Sequence, residues 1–175
     1  SRPRAWRWLG LQCGEKAGRM NDQTPKRPSL GEIGLMNFAP YLMNRIMGRY
    51  NAGFRDEMGD MGLTTPKARA LAVLTVVEGP LIRELAVYTV VEQSTLSRAL
   101  DQLQAEGLIR REIDPQDSRA IRVFITEAGR AVFDSLWPHM HEAQARMFRG
   151  IPDAERQAFI ATLQKMLVNI RKHEI

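Results

Sequence analysis

The 175-residue chain is 44% hydrophobic and 26% charged, the balance of a globular protein with one ordinary domain and extensions. It holds no apolar run long enough for a membrane-spanning helix, and its single cysteine, Cys13, excludes an internal disulfide framework and fits a reducing, cytoplasmic setting. The net charge of +5 lies wholly in residues 1–30, where seven basic residues face two acidic ones, so bulk charge gives the rest of the chain no affinity for nucleic acid.

Residues 1–29 mix Arg, Gly, Pro and polar residues without periodicity and read as a flexible basic arm. Its stretch PRAWRWLGLQ is basic and aromatic but lacks the apolar core of a secretory signal. A membrane-surface role, an accessory arm and sequence upstream of a start at Met20 are the readings open to it. From Leu30, apolar residues at Ile33, Met36, Phe38, Leu42, Ile46, Tyr50, Phe54 and Met58 recur mostly at steps of four. That spacing predicts one long helix with a break or kink near Pro40, ended by GDMGL.

Thr65 as N-cap and Pro66 in the first turn open a second helix that buries Ala70, Leu71, Leu74 and Val77 and stops at Gly79-Pro80. A short third helix follows from about Leu81 to Tyr88, and a fourth from about Ser94 to Glu106, ended by Gly107. Two strands come next, roughly 109–113 and 120–125, with alternation at Ile109 and Ile113 and at Ile121, Val123 and Ile125. Thr126 caps a long fifth helix with Val132, Phe133, Leu136, Met140, Ala143 and Met147 on one face, bent by Pro138. Ile151-Pro152-Asp153 starts a last helix carrying Phe159, Leu163, Met166, Leu167 and Ile170. The fold class that follows is mainly α with a small β-hairpin.

The fourth helix carries the functional signal. Leu96, Leu100, Leu103 and Gly107 line one face, which leaves Ser94, Thr95, Arg98 and Gln102 pointing elsewhere, with Ser97 near the boundary. Ser and Thr are poor choices for helix stability. They are short donors and acceptors, and arginine is a fork that bonds guanine bidentately. They cluster at the N-terminal end, the end that enters a major groove in helix-turn-helix proteins. A solvated, self-capped helix would account for such a face alone. It does not account for the short helix and turn before it together with a hairpin tipped by DPQDSR after it.

With these residues in view, the sequence resembles the MarR family of winged helix-turn-helix regulators. The resemblance rests on TPKARALAVL, IRELAV, STLSRALDQLQAEGLIRR, DPQDSRAIRVFITEAGR and a closing LQKMLVNI, and spans about Leu30 to Arg171. It implies a homodimer that binds double-stranded DNA at a pseudo-palindromic operator, most simply as a repressor relieved by a ligand. Residues 30–62 and 127–175 would form the helical dimerisation stem, and residues 63–126 the DNA-binding lobe. Ser94, Thr95, Ser97, Arg98, Gln102, Arg119 and Arg122 would read or grip DNA, with Arg119 entering the minor groove from the wing tip and Asp117 holding the wing's shape. A small aromatic or phenolic effector, bound between stem and lobe, is implied by the resemblance alone, and no residue is assigned to it.

Two departures stand out. Many relatives have Gly in the turn that here reads Tyr88-Thr89-Val90-Val91-Glu92, and Val accepts positive φ poorly, so a differently shaped turn is expected. Gly79-Pro80 also replaces a polar cap before the third helix.

Other chemistry is poorly supported. His139 and His141, two apart on a helix, face nearly opposite sides and cannot share an ion within one chain. The scattered Met residues read as core filling, and Cys13 as an incidental thiol. No phosphate loop, nucleophile elbow or zinc-protease signature is present, so neither a cofactor nor an enzymatic function is expected. The rival readings are a helical dimeric scaffold without specific DNA reading and an enzyme acting on a small molecule.

Overall fold

The computed structural model describes residues 27–53 and 55–173. The expected basic arm therefore lies, but for Arg27, Pro28 and Ser29, outside the described residues, as does Cys13. The chain forms two units, one reaching to Leu42 and one from Met43 onwards.

The elements in order are α1 (Leu30–Ile33), a 3₁₀ turn (Leu35–Asn37), α2 (Ala39–Ala52), α3 (Arg55–Asp60), α4 (Thr65–Leu74), α5 (Ile82–Thr89), α6 (Gln93–Ala105), β1 (Ile109–Ile113), β2 (Ile121–Ile125), α7 (Glu127–Met147) and α8 (Asp153–Ile170). The architecture is mainly helical with one antiparallel hairpin.

The single long helix expected after Leu30 is instead several pieces. Ser29 and Glu32 cap α1 reciprocally: Ser29 N–H donates to the Glu32 carboxylate at 2.6 Å and Glu32 N–H to Ser29 Oγ at 3.3 Å. Gly34 then takes φ 77°, which no continuing helix permits. Pro40 sits inside the first turn of α2, where its missing N–H has no partner to lose. A periodicity of four registers which residues share a face, and it is blind to such interruptions.

Two boundaries of α4 also move. Thr64, not Thr65, is the N-cap residue, and the helix closes at Leu74, well before Gly79. The β-branched run Thr75-Val76-Val77 ends it, with Thr75 Oγ1 donating to the Ala72 carbonyl at 2.7 Å. Val77 is consequently only half-buried, while Ala70, Leu71 and Leu74 are buried as expected.

The core of the second unit is built from Leu71, Leu85, Leu96, Leu100, Leu103, Val123 and Leu136, all fully buried. It is where α4 meets α5, α6, α7 and β2. The hairpin pairs Ile109 with Ile125 at its root and Ile113 with Ile121 at its far end. Only the root and the middle of the hairpin reach the core: Ile109 and Val123 are buried, whereas Ile113 and Ile121 are exposed. A third short rung joins the sheet, since Leu81 bridges Arg122 and the Pro80 carbonyl accepts from Val123 N–H at 3.0 Å.

Thr126 caps α7 as expected, its Oγ1 accepting from Gly129 N–H at 3.1 Å. Gly129 is required by packing, because a Cβ there would lie 2.0 Å from the Leu108 carbonyl oxygen. The helix runs on through Pro138 without interruption.

Val90 closes α5 at φ 54° and ψ 45°, the left-handed region. The turn thus has the shape a glycine would give it, contrary to the expectation from Val's side chain. Neighbouring bonds impose it: Val90 N–H donates to the Val87 carbonyl and Val91 N–H to the Ala86 carbonyl. The isopropyl group is 81% exposed, so nothing packed is disturbed. The backbone strain remains, and Val90→Gly should stabilise the fold by about 1 kcal/mol. A urea midpoint that rises with an unchanged slope is the expected measurement.

Candidate nucleic-acid interface

The orientation of α6 is set by its apolar face. Leu96, Ala99, Leu100 and Leu103 are buried, so the opposite face is turned outward. Ser94, Thr95, Arg98 and Gln102 are exposed there and Ser97 is half-buried. None of these five side chains bonds another side chain or backbone group among the described residues. Their donors and acceptors are free for an outside partner.

Most other arginines of the lobe are engaged internally. Arg69 Nη1 donates to the Thr89 carbonyl at 3.3 Å, tying α4 to the end of α5. Arg111 Nη1 donates to Asp101 Oδ1 at 2.8 Å, tying β1 to α6. Arg110 lies 4.3 Å over the Phe124 ring and pairs with Glu112. Arg98 and Arg119 are exposed and have no such partner among the described residues. Arg83, on the first turn of α5, is in the same state, though in the sequence nothing distinguishes it from any surface arginine.

Arg122 belongs to a different group from Arg119. Its Nε donates to Asp114 Oδ2 and its Nη1 to the Gly79 carbonyl at 2.9 Å. Whatever else it touches, this guanidinium fastens the wing to the loop before α5.

Asp114 is the centre of the wing. It is 5% exposed, and its Oδ1 accepts from Gln116 N–H at 2.7 Å and Asp117 N–H at 3.0 Å. Asp114 N–H in turn donates to the Ala120 carbonyl, closing the loop. Asp117, the residue singled out in the sequence, is exposed and makes a smaller contribution, accepting from Arg119 N–H at 3.0 Å. The Gln116 N–H foremost, with Arg122 and the Asp117 N–H, holds the Asp114 carboxyl below its ordinary range against the opposing pull of burial.

The outward serine, threonine and arginine of a helix packed by leucines, preceded by a helix and a turn and followed by a braced hairpin, make a winged helix-turn-helix. A family model described as the MarR family matches residues 61–120. A transcriptional regulator of the MarR family from Silicibacter pomeroyi, known as a crystal structure, is 63% identical, covers 85% of this chain and all of its own, and superposes with a TM-score of 0.81. The chain belongs to the MarR family.

Two further relatives agree. The HTH-type transcriptional regulator TtmR of Methylorubrum extorquens is 32% identical over 90% of this chain and 80% of its own. BpsR of Bordetella bronchiseptica, whose structure concerns regulation of DNA binding by 6-hydroxynicotinic acid, is 27% identical over 73% of this chain and 97% of its own, with a TM-score of 0.64. These relatives are transcriptional regulators rather than enzymes. Among the described residues, no helix is long and apolar enough to cross a membrane.

The wing's dependence on Asp114 has a definite sign in pH. A carboxyl held lower in the fold than in the unfolded chain stabilises fully above its unfolded value of about 3.9. That contribution is lost only as pH falls through the lower, folded value. Wing order should therefore be flat between pH 5 and 8 and fail only in acid, as pH falls below that unfolded value. Asp114→Ala should remove it at every pH, with amide exchange at Gln116 and Asp117 accelerating about tenfold or more while α4 and α6 stay protected.

Proposed function

We propose that this MarR-family regulator is a cytoplasmic homodimer that reads a pseudo-palindromic operator with α6 and the wing, and that a small aromatic or phenolic acid relieves its binding. The observation that carries the reading is the division of the lobe's polar side chains. Arg69, Arg111 and Arg122 are engaged inside the lobe, while Ser94, Thr95, Arg98, Gln102 and Arg119 are unengaged and outward. Ser94, Thr95 and Arg98 face base edges in the major groove, Arg119 enters the minor groove, and Arg83 meets a phosphate. Ser97 and Gln102 flank the reading residues, and Arg122 acts by fastening the wing.

Dimerisation through residues 30–62 and 127–175 is supported by apolar surface in α8, where no residue is buried and Phe159, Leu167, Val168 and Ile170 are all exposed. Relief by a small acid is supported by the ligand that controls BpsR. A cleft of about 340 Å³ at the root of the wing has compatible chemistry, with Phe124 beside Arg110 and Arg130.

The test begins with a duplex site selected by the protein from a random-sequence library. Arg98→Ala should weaken that site by about 1–3 kcal/mol and relax one base position. Equal losses on selected and random DNA would make Arg98 a phosphate contact only. Arg119→Ala should lose most on A·T-rich flanks, whose narrow minor groove attracts arginine. Sedimentation at micromolar concentration should give a dimer. A library that yields no preferred site would leave the scaffold reading standing, and turnover of a small molecule without DNA would favour an enzyme.

A further inference from the structure

Lys67 is an anomaly in a core of leucine and alanine. It is 3% exposed, and its ammonium donates to the Gly62 carbonyl at 3.0 Å and to Glu106 Oε1 at 2.7 Å. Gly62, at φ 67°, forms the turn that leads into α4. Glu106 is the C-cap residue of α6, immediately before Gly107 turns the chain towards β1. One buried cation thus joins the entry to the lobe, the end of α6 and the start of the wing.

Stability is a poor explanation for this arrangement. Burying an ammonium carries a desolvation penalty, and a buried ion pair is often matched or bettered by an apolar side chain of similar volume. The partner carboxylate is 47% exposed and so remains hydrated, which weakens the attraction that would offset the penalty. What the pair supplies that a methionine could not is direction: two bonds fix where the end of α6 sits relative to the Gly62 turn.

The geometry makes that position matter. Ser94 lies twelve residues from Glu106, about 18 Å along the helix. A tilt of about 10° pivoting at the Glu106 end would displace the Ser94 end by roughly 3 Å, the length of a hydrogen bond. Packing of the leucine face sets the rotation of α6, and the Lys67 bonds to Glu106 and Gly62 add a fixed point at its end.

We propose that Lys67 is a positioning residue for DNA reading, acting through Glu106 to fix the tilt of α6 so that Ser94, Thr95 and Arg98 meet base edges. The inference rests on the proposed operator-reading function. Lys67 touches no DNA itself, and its influence is on selectivity rather than on general affinity. Since the two residues stand 39 positions apart, the pair also registers any shift of the Gly62 turn directly at the end of the recognition helix.

The experiment compares the full chain with Lys67→Met, Glu106→Gln and the double variant, measuring thermal unfolding and affinity for the selected site and for random duplex. Lys67→Met should unfold within a few degrees of wild type and bind random DNA equally well, yet lose about tenfold or more on the selected site. Glu106→Gln, on the exposed partner, should fold regardless and lose affinity in the same direction. The double variant should be no worse than Lys67→Met, as expected for one shared interaction. Wild-type selectivity in both single variants would overturn the proposal, as would parallel loss of selected-site affinity, random-site affinity and melting temperature. A wild-type protein without any preferred site would instead overturn the function on which the proposal rests.

Discussion

The burial of one face of α6 is the constraint on which the rest of the lobe depends. Leu96, Leu100 and Leu103 are inaccessible to solvent, each stabilising by about 1.5–3 kcal/mol relative to exposure. Turning the helix by one residue, about 100°, would bring this row out of the core. The outward presentation of Ser94, Thr95 and Arg98 is therefore enforced by the same leucines that hold the lobe together. Fold and candidate interface are two sides of one helix.

The wing depends on a different kind of force. Its outer end buries little apolar surface, since Ile113 and Ile121 are exposed, so its shape is held by hydrogen bonds. Asp114 gathers two backbone N–H groups of the tip and one guanidinium of β2, and that guanidinium reaches Gly79 in the loop before α5. A single carboxylate thereby relates the wing tip to the helix-turn-helix. This is how a hairpin too small to have a core of its own can carry an arginine in a defined place.

Much of the lobe was legible because its boundaries have local causes. Gly107 ends α6 in a left-handed conformation, Thr126 caps α7, and the alternation of isoleucine and valine marks both strands to within a residue. The break at Gly34 was not legible, because it comes from a single backbone conformation that leaves the step of four intact. At Val90 the side chain pointed one way and the backbone bonds of the turn decided the other. In the wing, DPQDSR offers two carboxylates three residues apart, and the resemblance drew attention to Asp117. Which of the two is buried depends on the closing bond between Asp114 N–H and the Ala120 carbonyl, a tertiary fact. Lys67 and Glu106 lie beyond any local pattern, and only the packing of α4 on α6 brings them together.

The internal engagement of arginines has a consequence for occupancy in a genome. A regulator competes with itself: every duplex that is not its target is a weak site, and such sites outnumber operators by about a million or more. Capture by them is driven mainly by cations facing phosphate. Here the chain beyond residue 30 carries no net charge, and Arg69, Arg111 and Arg122 turn their guanidiniums inward onto carbonyls and carboxylates. A lobe so arranged offers indifferent DNA few cations to hold it by. A modest intrinsic affinity for the right sequence would then suffice to keep it there.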